Sequence, residues 1–558
     1  MWILSMAFAL TPAVGDGQTV PRFGIYEASF ASGSYSNPYT AVSTAVATLT
    51  APDGTIYEPP LFWDGGTTWK LRFSPAQVGR WKFSIRSSDS TLDRAPDGSF
   101  SVSESSLAGG IMASPDVPTS FQTQNGKPFY FIGDTGWSAF VDDSAEKLNR
   151  PAFEHYVDTR AAQGFNVIHS TTINQFGLDN EGGPPFVSFT EESLNPSYFQ
   201  EVDQRIAYIN RRGITAGMIV AWANDRGYSY MSFSEDAARQ RFAKYIAARY
   251  GAYNTYFIVA GEWEEALSEA QVRELGEAIA DADPQDRLIG VHPGGTRAGR
   301  IDRLRRAILA RFPSFHAPIL AGSSGNFAGE SWAGFADYQQ RYDTLHQAAL
   351  EYRALGKPVV NSEYAYFLRD SSGDSQVDKP NSVTLEDMRY ATWDIAMAGA
   401  SFVTGFGTTY LGGRRDPGPF DVGAPKNDSW EEDVQHVKTF FTDRDWTTLE
   451  PADHLVSSDT ARSEDASHEN GIRRPPVSTY WAMTNGKGEY VVYLRGLTSD
   501  VNLAVLEEAE KVYRVRRFDP RTGEYLELGR VLGEERLAIE PPDDRDWVYS
   551  VTLVRDDA

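Results

Sequence analysis

The fold class predicted for this chain is multidomain: a central (β/α)8 TIM barrel flanked by N-terminal and C-terminal antiparallel β-sandwich domains. Three observations predict it. With 558 residues the chain exceeds a single hydrophobic core and suits roughly two to four domains. Between about residues 108 and 455, apolar strand-like runs alternate with amphipathic helical stretches, the pattern of parallel strands with crossover helices. On both sides of that region, short alternating segments separated by turn residues read as all-β.

In order along the chain, residues 1–20 form a possible leader or disordered terminus. The run WILSMAFAL is apolar and is followed by TPAVGDG. It resembles the core of a signal peptide without a basic segment before it, and it is too short to span a bilayer. A secreted or periplasmic location is therefore expected. Residues 21–107 carry AVSTAVATLTAP, TWKLRFSP, RWKFSIRSS and GSFSVSES, with turns at Pro52-Asp53-Gly54 and Asp64-Gly65-Gly66, and predict the first sandwich.

Residues 108–455 supply eight strand candidates: 128–135, 165–171, 213–222, 255–263, 287–293, a weak one near 335–340, 358–364 and 401–408. Eight such units over this length suit a (β/α)8 barrel with long loops. A doubly wound open sheet is the alternative, but no Gly-rich phosphate fingerprint follows the first strand. Residues 456–475 are polar and charged and read as a linker or long loop. Residues 476–558, with hairpin signals at TNGKGEY and DPRTGEY, predict the closing sandwich.

Composition narrows the function. The net charge of −24 repels phosphate backbones and anionic lipid, so neither nucleic acid nor membrane is expected as a partner. The absence of cysteine excludes disulfides, thiolate catalysis and Cys-ligated metals. Histidines and carboxylates are too dispersed to suggest a metal site, and no cofactor is expected. The 13 Trp, 27 Tyr and 31 Phe fit either sugar-stacking surfaces or ordinary strand composition. Nothing in the sequence fixes the oligomeric state.

Catalytic groups of a (β/α)8 barrel sit at the C-terminal ends of its strands. TYFIVAGEW ends the fourth strand at Glu262, and PVVNSEY ends the seventh with Glu363. Two carboxylates facing each other across a barrel mouth can cleave a glycosidic bond, one as proton donor, the other as nucleophile or as base for water. Glu262 also reads as a carboxylate opening the next helix, given Glu264 and Glu265 beside it. Glu363 stands alone among apolar and aromatic residues, which is costly without a purpose, although a buried ion pair would also explain it. Further candidates for the substrate cleft are Asp134, Trp137, His169, Trp222, Asn224, Trp263, His292, Tyr364 and Tyr366. Asp134 reads equally as a helix cap, and for each histidine a satisfied structural role is the more common outcome.

In order, YFIGDTGW, YFIVAGEW, IGVHPGG and KPVVNSEYAY resemble the apiosidase-like glycoside hydrolases, a barrel group related to a large retaining clan of (β/α)8 glycosidases. The segment YEASFASGSYSNPYTAVSTAVATLTAPDG is similar to the sandwich that often precedes such barrels, and VRRFDPRTGEYLEL to the small β-domain that often follows them. The resemblance covers nearly the whole chain. It implies a retaining glycoside hydrolase acting on an oligo- or polysaccharide of plant, algal or microbial origin, with Glu262 as acid/base, Glu363 as nucleophile and Asp134 lining the sugar site. Clan relatives commonly carry Asn before the acid, and apiosidases an Asp as the acid; here Gly261 precedes Glu262, which leaves the sugar open. A non-catalytic carbohydrate-binding protein with a degenerate barrel and a polysaccharide lyase are the alternatives.

Overall fold

The computed structural model describes residues 17–142, 149–294, 324–339, 345–364, 384–404, 430–463, 467–469, 472–505, 511–533 and 536–554. The apolar run of the possible leader, together with Tyr366, lies outside the described residues.

Eight parallel strands form the centre: β1 (Ile132–Thr135), β2 (Val167–Thr171), β3 (Thr215–Ile219), β4 (Thr255–Gly261), β5 (Ile289–His292), β6 (Ala336–Tyr338), β7 (Val359–Tyr364) and β8 (Ser401–Thr404). Their order is β5-β4-β3-β2-β1-β8-β7-β6, so each lies beside its sequence neighbour and β1 pairs with β8. The seam between β5 and β6 has no full ladder. It is drawn together just before β6, where the Gly334 N–H donates to the Ile289 carbonyl at 2.8 Å. The result is a nearly closed TIM-like barrel, as the alternating pattern predicts. The weak sixth strand is three residues long.

Helices surround it: α1 (Arg150–Ala162), α2 (Pro196–Arg211), α3 (Asp236–Tyr250), α4 (Glu269–Ala282), α5 (Leu345–Arg353), α6 (Leu385–Met397) and α7 (Trp430–Thr442). Local chemistry sets several starts. Asn149 and Asn195 cap α1 and α2 with Pro in the first turn, and Ser268 and Thr384 form capping boxes with Gln271 and Asp387. Inside the barrel, Val167, Ile219, Tyr256, Ile258, Val360 and Val403 pack on one another. Ile111 and Phe121 of a preceding hairpin, with Phe131, close the end at which the strands begin.

The N-terminal region has a five-stranded sheet facing a three-stranded one over a core containing Trp69, Leu71, Trp81 and Phe100. Its first strand, Thr19–Pro21, starts inside the segment expected as a leader and runs parallel to Gly98–Ser103, so the sandwich is not purely antiparallel. The C-terminal region has a six-stranded and a three-stranded sheet, all antiparallel. The segment expected as a linker begins with strand Val456–Ser458, which pairs with Val501–Ala504.

Both flanking regions are fastened to the barrel. Arg72 of the first sandwich pairs with Asp203 of α2 at 3.1 Å; Asp203 also pairs with Arg249 of α3 at 2.7 Å, and Arg249 reaches back to Asp64 at 2.8 Å. On the other side, Trp393 of α6 stacks on Tyr493, and Asp394 accepts from Trp481 and pairs with Arg495 at 3.0 Å. Asp203 is shared by two buried guanidinium groups, and taking one carboxylate from such a pair costs about 3–5 kcal/mol. Asp203→Asn is therefore expected to lose stability of that order in urea titration at neutral pH. A variant as stable as the parent would show that this ion cluster does not fasten the first sandwich.

Candidate active site

Strand alternation decides which side chains reach the barrel mouth. On β5 and β6, Gly290 and His292, and then Asp337, face inward, while Ile289, Val291, Ala336 and Tyr338 pack outward against helices. On β1, Ile132 faces outward, and Asp134 shares its phase. Asp134 is fully buried there, paired with Arg160 of α1 at 2.5 Å and accepting from Tyr156 at 2.9 Å. This corrects its expected place in the sugar site: Asp134 ties β1 to α1.

The two glutamates arrive where regular alternation breaks. The register of β4 against β5 shifts between Ile258 and Gly261, and that of β7 against β8 between Asn361 and Tyr364. Such irregularities re-aim side chains at barrel rims. Past the end of β4, Glu262 adopts a left-handed backbone, φ 43° and ψ 52°, uncommon for a residue with a Cβ and held only where the surroundings enforce it. Its carboxylate lies 3.4 Å from Trp222 Nε1, which donates to it. Trp263 goes the other way and packs edge-on against Phe327 in the layer between strands and helices, so it is not a wall of the cleft. On β7 the irregularity lets both Ser362 and Glu363 face His292. Tyr364 then points outward to Phe402 and the Thr392 hydroxyl of α6, which removes it from the cleft as well.

His292 is the hub. Its Nδ1 donates to Ser362 Oγ at 2.7 Å and lies 3.8 Å from Asp337; its Nε2 lies 3.5 Å from Glu363. Burial works against its charge, but Asp337 and Glu363 outweigh burial and hold the imidazole proton up to about 10. Trp137 and Trp222 pack around its ring with centroids 5.7 and 5.4 Å away. His169 on β2 is the opposite case. Burial, aided by the His292 charge, pushes it down to about 3, and this neutral ring hydrogen-bonds the Tyr256 hydroxyl. Gly217 leaves the room for that contact: a Cβ there would lie 2.5 Å from both His169 and Tyr256.

Glu262 is partly buried beside this group. Desolvation first, and the Glu363 charge second, push its carboxyl up to about 7. Of the expected residues, Glu262, Glu363, Trp137, Trp222, His169 and His292 come together. Asn224 sits farther out, donating to Gln175 and so joining the loops after β3 and β2.

Three residues were not singled out in the sequence. Asp337 and Ser362 contact His292 directly. Glu264 accepts from the Gly294 N–H at 2.7 Å and fixes the turn after β5. The signal for Asp337 was present in FADYQQ, a carboxylate in a short apolar run, the same argument that marks Glu363. Among the described residues no group of three or more His, Asp or Glu side chains is arranged to hold a metal ion.

The Trp222 ring lies across Gly261, where a Cβ would come within 2.2 Å of it. Gly261→Ala is expected to displace that indole at a cost of about 1–3 kcal/mol, read as a lower denaturation midpoint and an altered near-ultraviolet circular dichroism spectrum. Parent-like values of both would mean that the indole is not held at this contact.

Comparison with known proteins agrees with this architecture. A candidate glycoside hydrolase from Bacteroides vulgatus superposes with a TM-score of 0.69 at 18% identity, covering 96% of this chain and 100% of its own. A family 5 glycoside hydrolase from the same organism gives 0.61 at 16% identity, over 80% of this chain and 93% of its own. A further glycoside hydrolase gives 0.60 at 17% identity, over 79% and 97%. At these identities the likeness is one of fold. No curated protein matches the chain. Residues 19–88 match a domain of unknown function, DUF5060. Residues 118–447, more than half of the chain, match the family described as apiosidase-like, catalytic domain, and the chain belongs to that family.

Proposed function

We propose that this protein is a retaining glycoside hydrolase acting on a plant, algal or microbial polysaccharide, with Glu262 as acid/base and Glu363 as nucleophile. One observation carries the reading: carboxylates from β4 and β7 share one desolvated site, and their electrostatic environments differ. Glu262, pushed up to about 7, is still protonated in a large share of molecules at neutral pH and can give that proton to the leaving oxygen. Glu363 faces the His292 cation, which favours the ionised form needed to attack the anomeric carbon. In the first step the Glu363 oxygen bonds to that carbon while the glycosidic C–O bond breaks and the departing oxygen takes the Glu262 proton. Water, deprotonated by Glu262, then cleaves the glycosyl ester. Family membership and structural neighbours described as glycoside hydrolases support the reaction class. The net charge of −24 favours a neutral glycan over a strongly anionic one, and the N-terminal apolar run favours action outside the cytoplasm.

A panel of polysaccharides read by reducing ends identifies a substrate. On it, Glu363→Ala is expected to lose activity by at least about a thousandfold, with azide restoring turnover, and Glu262→Ala by about 10²–10⁴. The first-formed anomer, followed by proton NMR, keeps the substrate's configuration. Full activity of folded Glu363→Ala, or an inverted product, would reject the mechanism. Binding without products from the parent would favour the carbohydrate-binding alternative.

The pH dependence has a defined sign. Activity requires Glu262 protonated, so kcat/KM is expected to fall as pH rises through about 7. A profile flat from pH 6 to 9 would remove Glu262 from the acid role.

A further inference from the structure

His292 lies between two carboxylates contributed by the next two strands, Asp337 on β6 and Glu363 on β7. Only one of them is needed for the reaction proposed above, and that one changes charge during it. When Glu363 bonds to the anomeric carbon, its negative charge passes into a neutral ester. His292 would then be a buried cation, 0% exposed, facing two indoles with its nearest counter-charge gone. An isolated buried cation is strongly disfavoured and would discharge.

We propose that Asp337 is a positioning residue, the permanent counter-ion that keeps His292 protonated and in place while Glu363 is neutral. The geometry suits this task. Asp337 is itself fully buried and faces Nδ1, the nitrogen that also meets the Ser362 hydroxyl, rather than the nitrogen that meets Glu363. The imidazolium is thus anchored from the side away from the reacting carboxylate, and its Nε2 stays directed at the nucleophile through both half-reactions. Burial pushes the Asp337, Glu262 and Glu264 carboxyls up alike, but among the described residues only Asp337 and Glu363 come within ion-pair distance of the imidazole, and His169 is held neutral.

The inference rests on the nucleophile assignment for its purpose but not for its test. Glu363→Gln stands in for the neutral, esterified carboxyl. His292 is followed by NMR of 13Cε1-histidine in the full-length protein, with His292→Gln identifying its signal. In Glu363→Gln, His292 is expected to remain an imidazolium at pH 7. In Asp337→Asn it is expected to titrate at lower pH than in the parent. In the double variant it is expected to be neutral at pH 7. A neutral His292 in folded Glu363→Gln, or a cationic one in the double variant, overturns the proposal. If the double variant does not fold, Glu363→Gln alone decides.

In the reaction, Asp337→Asn is expected to lower kcat at least tenfold with little change in KM. Parent-like kcat in a folded Asp337→Asn would confine Asp337 to a structural role and overturn its part in turnover. Should Glu363→Ala prove active, the mechanism above fails, while the His292 titrations still report independently whether Asp337 holds its charge.

Discussion

Exclusion of water from the top of the barrel is the constraint on which the site depends. Trp137, Trp222, His169 and His292, each nearly or fully buried, form a layer of four rings over an apolar barrel interior. In water the same ionisable groups would hold ordinary proton affinities and interact weakly. In and beside this dry layer each departs from ordinary behaviour, and in directions that differ. Glu262 gains proton affinity, His292 gains it through its two carboxylate neighbours, and His169 loses it. Two imidazoles in one layer end in different charge states, one cationic between carboxylates and the other neutral because it is buried with no carboxylate beside it and faces the first one's charge.

That layer seats large rings closely against small residues, Trp222 on Gly261 and His169 with Tyr256 at Gly217, and the flanking regions are fastened to the helices around it. The first sandwich is held to α2 and α3 through Asp203, shared by two guanidinium groups. The C-terminal sheets share a continuous core with α6 and α7 through Trp393, Phe440, Phe518 and Tyr493. The barrel is therefore braced through α2 and α3 by the first sandwich and through α6 and α7 by the C-terminal sheets.

Much of the architecture was legible in sequence because it rests on local rules. All eight barrel strands fall within the segments marked by apolar runs, and helices begin at Asn-x-Pro, Asn-Pro, Ser-x-x-Gln and Thr-x-x-Asp, where side chains satisfy the first free N–H groups. The site was legible in part. Glu262, Glu363, Trp137, Trp222, His169 and His292 were readable as residues at or just past strand ends. Asp134, Trp263 and Tyr364 occupy similar sequence positions but point away. For Asp134 the phase of Ile132 carried the answer; for Trp263 and Tyr364 nothing local did.

By itself the sequence determined the order of elements, their boundaries to within a few residues, and the choice of residues at each strand end. It could do so because apolar periodicity, caps and turn residues act over a few positions. Only the tertiary structure decided which of those residues meet. The register shifts in β4 and β7, the left-handed backbone at Glu262 and the placement of Asp337 against His292 all arise from contacts between strands distant in sequence. The charge states that follow depend on burial by those same contacts, because desolvation is a property of the assembled barrel rather than of any one segment.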